Sequence, residues 1–418
     1  MKIKLLGALA LATGMMVTTA MAQDVEVQLL HIGDSEDSAD IRVMQSIIDE
    51  YNAMTPGVTV IRQGMENEAL RAKLPTLLQS NDPPDIIASF GGGDIEAQDE
   101  AGYLEDISYA EAALQGSVPQ SSIDAFKVNG KLVGVATDLA LVNFFVNKPL
   151  LESGGVTIDD LSTWDGFMEA IDTLKANGIT PVVTAGGDKW PVQHWLLYLM
   201  LREGGPDIMN RVRTEGFNIP EFIKAANDLI EVGAKEPFQD GWLSEPWPSS
   251  IGKFGDGAGA IYLAGNWSIT QQADNSTSGQ GIAPDDLVLI PFPGGFEANA
   301  DGGTGTVGGV TGWAVTAGAP KEAVDFLVYY ASIDAQKKFA EAGLGIPSAI
   351  GADEYITEPK LQWVSKIIGE ASAHQLFADR FLGPAAGNAY NDVSVALAAG
   401  EITAEEAAET LQDAWDNR

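Results

Sequence analysis

Between residues 25 and 90 the hydrophobic spacing switches repeatedly between two periods, and that alternation limits the folds open to this chain. Val25, Val27 and Leu29 alternate with polar neighbours, the spacing of a half-buried strand. Met44, Ile47, Ile48 and Tyr51 recur at helical spacing, and Pro56-Gly57 ends that helix. Val58 and Val60 open a second strand, a polar helix covers roughly 68–79, and 85–90 reads as a short buried strand. Strand–helix–strand–helix–strand predicts a parallel α/β sheet. Ligands of such sheets sit beyond the carboxyl ends of the strands. The loops 33–38, 63–67 and 91–94 are therefore the first places to look for function.

Further along, 131–150 reads as one or two strands. The pattern then turns helical, with Trp164, Trp190, Trp195, Trp242 and Trp247 expected in loops. Residues 255–263 look like a glycine-opened strand, and 287–291 like another. A Gly-rich connection follows over 294–309. Val324, Leu327, Val328 and Ala331 form a helical stripe, and Thr403 with Glu406 is a capping box.

Composition removes whole classes of chemistry. The 418 residues contain no cysteine, which excludes disulfides, thiol nucleophiles and Cys-ligated metal centres. The 59 acidic residues outnumber 24 basic ones, for a net charge of −35. That argues against nucleic acid and anionic lipid as partners. The N-terminus reads as a secretory leader over 1–22: Lys2 and Lys4, an apolar run over 5–17, then Ala20-Met21-Ala22. Its removal takes the charge to −37. The run is short of the about 20 apolar residues that span a bilayer. No cysteine is present to carry a lipid anchor, so the expected location is a periplasm, with the protein free of the membrane.

Catalytic motifs do not assemble. Gly33-Asp34-Ser35 follows a first strand as in GDSL-type hydrolases, but the partner Asp-x-x-His is absent: Pro191 and Ala371 stand three residues before His194 and His374. Gly303, Gly305 and Gly308 match the dinucleotide fingerprint by letters, yet precede a strand rather than open a helix. No His pair has metal spacing. Asp34, Glu36, Asp37 and Asp40 read as a solvated turn at a helix start, with ligand contact by one or two of them as the sharper reading. Calcium is a third, though the EF-hand glycine and terminal Glu are missing.

The aromatics are more telling. Nine tryptophans are many, and several sit beside Gly, Pro or Asn: Lys189-Trp190-Pro191, Pro246-Trp247-Pro248, Gly265-Asn266-Trp267. An indole face matches the C–H face of a pyranose, and nearby carboxylates can pair with its hydroxyls. Core packing is the default for any single Trp. Trp267, in a tight loop after a strand, is read as a platform instead.

Five stretches in order carry a resemblance. They are Pro84-Asp85-Ile86-Ile87 with Gly102-Tyr103-Leu104-Glu105-Asp106; Lys131 to Gly134 with Asn147-Lys148; Gly255 to Trp267; Gly308-Gly309 through Lys321-Glu322-Ala323; and Ala399 to Ala407. Together they resemble the family 1 extracellular solute-binding proteins, the sugar receptors of ABC importers that include the maltose-binding protein.

The resemblance implies an α/β fold of two lobes joined by hinge strands, each lobe a mixed sheet flanked by helices. It implies lobe one over 23–136 and 308–347, and lobe two over 137–307 and 348–418. The ligand contacts it implies are Asp34, Ser35 and Glu36 in the first loop, Ser89, Gly92 and Asp94 after the third strand, Asp138 and Gly309 in the hinge, and the platform Trp267. Ala136 stands where the family often has Pro, and 91–93 replaces bulkier contacts with glycine. Chemistry adds Trp190, Trp247 and Trp313. Arg380 either faces the cleft or, more simply, makes a surface ion pair.

The expected function is delivery of a mono- or oligosaccharide to a membrane permease, by a monomer without cofactor, metal or catalysis. The alternatives are another small solute on the same fold (a polyamine, phosphoester or sulfonated sugar) and a secreted carbohydrate-active enzyme.

Overall fold

The computed structural model describes residues 24–33, 35 and 38–418. The leader expected over 1–22, and Asp34, Glu36 and Asp37, lie outside the described residues.

The alternating start folds as its periods require. β1 (Val25–Ile32) pairs in parallel with β2 (Val58–Met65), Val25 opposite Val58, and with β3 (Ile86–Ser89) on its other side. The connecting helix Ala39–Met54 buries Ile41, Met44, Ile47, Ile48 and Tyr51. A short hairpin, β4 (Lys127–Val128) with β5 (Lys131–Leu132), precedes β6 (Gly134–Asn147). Then come β7 (Val182–Val183), β8 (Ile261–Gly265), β9 (Leu287–Ile290), β10 (Thr306–Val315), β11 (Ile346–Pro347) and β12 (His374–Leu376). The sheet order is β2-β1-β3-β10-β6-β8-β7, with β9 and β11 on β6 and β12 on β10.

β6 and β10 join the two halves. They run antiparallel, with Ala140 opposite Gly309 and Asp138 opposite Thr311. β10 meets β3 at one end, over Gly312 to Val315, and β12 at the other, over Thr306 to Gly308. Two large apolar cores lie on either side of that crossing. One draws on Val27 to Ala136 and Trp313 to Ala335. Another draws on Ala140 to Val307 and Phe377 to Trp415. The result is two lobes sharing a pair of continuous strands, and the gap between β3 and β12 along β10 is the floor of the cleft.

Two expectations are corrected. Trp164, Trp190 and Trp247 do not sit in loops but open the helices Trp164–Ala176, Trp190–Gly204 and Trp247–Gly255. Trp195 lies inside the second of these, 1% exposed. Pro191 and Pro248 fall in the first turn, where a missing N–H costs nothing. Gly255 ends a helix rather than opening a strand, and β8 begins at Ile261. Its missing side chain lets that helix approach Gln272, whose carbonyl oxygen would lie 1.9 Å from a Cβ.

Candidate functional site

The three tryptophans at element starts come together. Trp190 and Trp247 lie 5.6 Å apart between ring centroids, and Trp190 and Trp267 6.0 Å. All three are half-buried. Trp267 folds back over the end of β8, where a Cβ on Gly265 would lie 2.0 Å from the indole. His194 and Phe377 extend the cluster: His194 is 5.7 Å from Trp190 and 5.4 Å from Phe377, and Phe377 is 6.1 Å from Trp267. Phe90, just beyond β3 in the opposite lobe, meets Phe377 edge to face at 6.5 Å. The aromatic surface thus bridges the cleft.

Charged groups edge it. Arg71, on the helix Asn67–Leu78, reaches across the cleft to Asp379 at 3.0 Å. Asp379 also accepts from Gln193 Nε2 at 2.8 Å and Asn391 Nδ2 at 3.4 Å. Arg380 pairs with Asp94 at 3.0 Å, and its guanidinium carbon lies 4.4 Å from the Phe90 ring centroid. Burial opposes charge on Asp379, but Arg380 and Arg71 outweigh it and hold that carboxyl below its ordinary range. Burial raises Asp94 despite Arg380. Glu68 is raised by burial, with Arg71 and Arg380 acting against the shift. Asp188, raised by burial, accepts the Trp247 backbone N–H at 2.6 Å and feels the charge of Glu66. Glu66 caps its helix by accepting the Ala69 N–H at 3.0 Å.

Several buried polar atoms of these residues have no protein hydrogen-bond partner: both ring nitrogens of His194, Trp247 Nε1, Gln193 Oε1, Arg71 Nη2 and, beside Trp267, Ser268 Oγ. Unpaired buried polar groups are costly. Here they lie among or next to the residues of the aromatic cluster, enclosed with the lobes together.

The sequence candidates separate. Trp190, Trp247, Trp267, Asp94 and Arg380 lie on or beside this surface. Arg380 is 9% exposed and not in a surface pair, because two lobes close over it. Gly92 lies at their contact: φ is 66°, and a Cβ would sit 2.6 Å from Leu376 Cδ2 and 2.8 Å from the Arg380 carbonyl oxygen. Gly309 faces Leu376 and Phe377 from the hinge. Ser89 is buried opposite Gly312 of β10, its Oγ accepting from Gly91 N at 3.3 Å. Ser35 is exposed, and its carbonyl accepts from Ser38 Oγ at 2.9 Å. Asp34 and Glu36 are outside the described residues.

Trp313 is a correction. It is 7% exposed in the core of the first lobe, edge-on to Tyr330 at 5.7 Å. Asp138 stands in the hinge on β6. Its carboxylate accepts from Ile346 N at 2.8 Å, bracing β11, and burial pushes it up to about 7.

Phe90, Phe377, His194, Arg71, Asp379, Glu66, Glu68 and Asp188 were not among the candidates. The second-strand loop 63–67 pointed towards Glu66, and Asp188 adjoins the Lys189-Trp190-Pro191 stretch. A cavity of about 380 Å³ adjoins Phe90; Gly92, Glu96, Lys127, Gly309, Gln375 and Phe381 line it among others, and none of the three tryptophans does. Among the described residues no group of three or more His, Asp or Glu could hold a metal ion, and no helix is long and apolar enough to cross a membrane.

A profile of the bacterial extracellular solute-binding proteins matches residues 46–362. The chain belongs to that family. It is similar to a multiple sugar-binding protein of Streptococcus mutans, 23% identical over 45% of this chain and 43% of that protein. It is also similar to an uncharacterized ABC transporter extracellular-binding protein of Pyrococcus horikoshii, 22% identical over 54% and 51%. The matched stretch is thus about half the length of these relatives. Among solved structures, one from a study of xylan utilization by Caldanaerobius polysaccharolyticus superimposes with a TM-score of 0.85, at 23% identity, over 93% of this chain and 99% of that one. A chitin oligosaccharide binding protein gives 0.82 at 22%, over 94% and 98%. A solute-binding protein in complex with raffinose gives 0.72 at 18%, over 94% and 99%. These structures share the two-lobed fold.

Proposed function

We propose that this member of the solute-binding family is the receptor of an ABC importer, and that it holds a carbohydrate between its lobes. The observation that carries this is the wall of Trp190, Trp247 and Trp267, half-buried and edged by carboxylates. Indole faces stack on pyranose C–H faces, while carboxylates and unpaired amides bond the hydroxyls. Relatives named for sugar binding support the reading. Lobe one comprises 23–136 and 308–347, and lobe two 137–307 and 348–418. Rotation about the paired hinge strands closes them over the ligand.

The leader over 1–22 exports the chain, which works in the periplasm as a monomer. It presents the closed form to the permease and carries out no chemistry on the sugar. A thermal-shift and calorimetric screen of the purified protein against mono-, di- and trisaccharides tests this. Saturable binding of at least one sugar, recovered chemically unchanged, is expected. Silence across the whole panel would sink the carbohydrate assignment, and cleaved product would sink the receptor assignment.

A further inference from the structure

The cleft has two arginines beside its aromatic wall, and both are tied to carboxylates. Asp379 is the shared partner. Its side chain, 3% exposed, lies 3.0 Å from Arg71 and 3.6 Å from Arg380. Gln193 and Asn391 hold it in place through hydrogen bonds to its two oxygens. Asp94 takes the other side of Arg380 at 3.0 Å. Lys189, next to Trp190, pairs with Asp392, and Lys253, on the helix that Trp247 opens, pairs with Glu245.

The remaining charges around the wall are negative. Glu68 lies within electrostatic reach of Arg71, Arg380, Asp188 and Asp379. Asp188 and Glu66 act on one another. Three carboxylates (Glu68, Asp94 and Asp379) therefore act on the two guanidiniums, and Asp188 and Glu66 add negative charge next to them. A ligand carboxylate or sulfate entering here finds no uncommitted cation. It must displace Asp379 or Asp94 from an arginine, leaving a buried carboxylate without its partner, or lie against Glu68 and Asp188. Both are unfavourable in a partly desolvated cleft.

We propose that Asp379 sets the charge class of the ligand. By tying up Arg71 and Arg380 together, it makes the cleft accept neutral or cationic sugars and refuse uronates, aldonates and sulfated sugars. This inference rests on the cleft being the ligand site. It assigns a specificity role to Asp379, with Arg71 and Arg380 held in reserve rather than offered to the ligand.

The test compares wild type with Asp379→Asn by calorimetry at low salt. The probes are neutral disaccharides and anionic counterparts: lactose with lactobionate, cellobiose with cellobiouronate, and a digalacturonate. Wild type is expected to bind the neutral members only. Asp379→Asn, which leaves both arginines without their shared countercharge, is expected to gain at least tenfold in affinity for an anionic probe, with the gain shrinking as salt rises. Asp94→Asn removes one of the two countercharges of Arg380 and should show a smaller gain, which keeps the test open if the first variant misfolds by circular dichroism. Wild type preferring an anionic probe to its neutral match overturns the proposal, as does the absence of any anionic gain in folded variants. Loss of binding to every neutral sugar would instead count against the carbohydrate reading, and an anionic gain in Asp379→Asn would still support the charge rule.

Discussion

Trp190 and Trp267 meet edge to face, 6.0 Å apart and inclined at 61°, although one opens a helix and the other follows a strand. Each therefore presents a different plane to the cleft, and Trp247 adds a third. Such an arrangement suits a ligand with C–H faces in more than one direction.

Trp267→Ala should weaken sugar binding by about 1–3 kcal/mol, the range of an aromatic hot spot. Its melting temperature should stay close to wild type, because the indole is only half-buried. Trp313→Ala should do the opposite. Its ring is enclosed beside Tyr330, and truncation of a buried aromatic costs about 3–5 kcal/mol of stability. Parallel calorimetry and denaturant melts of the two variants check both. An affinity loss confined to Trp313→Ala would reverse the assignment.

Gly92→Ala should hinder lobe approach. The residue adopts φ 66°, and its new methyl would press on Leu376 and the Arg380 backbone. Backbone strain alone costs roughly 1–3 kcal/mol. Ligand affinity is expected to fall tenfold or more, and small-angle scattering of the ligand-bound variant should show a wider particle than wild type. Wild-type affinity in this variant would mean that the two lobes do not close at Gly92.

Arg202 and Asp301 form a fully buried ion pair, and Arg202 also donates to the carbonyls of Phe292, Pro293 and Gly305. Asp301→Ala leaves a buried cation without its countercharge and should destabilise by about 3–5 kcal/mol. Chemical denaturation measures this. A loss below about 1 kcal/mol, the scale of an exposed pair, would show that water reaches the site.

Acid should act through two histidines. Burial lowers His194 and His374 to about 4, whereas the unfolded chain titrates near 6.5. Between those values the unfolded state binds more protons, so these groups lose stability as pH falls from 6.5 towards 4. Asp138 acts in the opposite sense. Raised to about 7, it binds a proton in the folded state that the unfolded chain has released, so its contribution improves with acid. Asp94, Glu68 and Asp188, raised by burial, act in the same sense as Asp138, so the histidine contribution is read as a difference between variants. Replacing His194 by Leu should make the slope of stability between pH 4 and 6.5 less positive than in wild type in pH-dependent melts. An unchanged slope would show that His194 is protonated in the native state.

Residues 25–90 were legible because their strands and first helix show their periods. The capping box was too: Thr403 and Glu406 satisfy each other's backbone N–H groups. The tight turn that carries Trp267 could be read because a glycine and an amide precede it at the end of a strand. Trp313 could not be separated from Trp267 in the same way. The register of β10 shifts between Thr311 and Gly312, so strict alternation no longer tells which face a side chain takes. Trp190 and Trp247 open helices rather than standing in loops, because the proline after each fits the first helical turn, where its missing N–H costs nothing. The Arg71–Asp379 contact spans 308 residues. No local spacing encodes a pair that exists only when the lobes meet.

A diffraction structure of the protein with its tightest-binding saccharide tests the central claim most directly. The account predicts a sugar ring within van der Waals contact of at least one of Trp190, Trp247 and Trp267, with its hydroxyls bonded to groups from both lobes. A sugar bound in the cavity that adjoins Phe90, or held by one lobe alone, would contradict it.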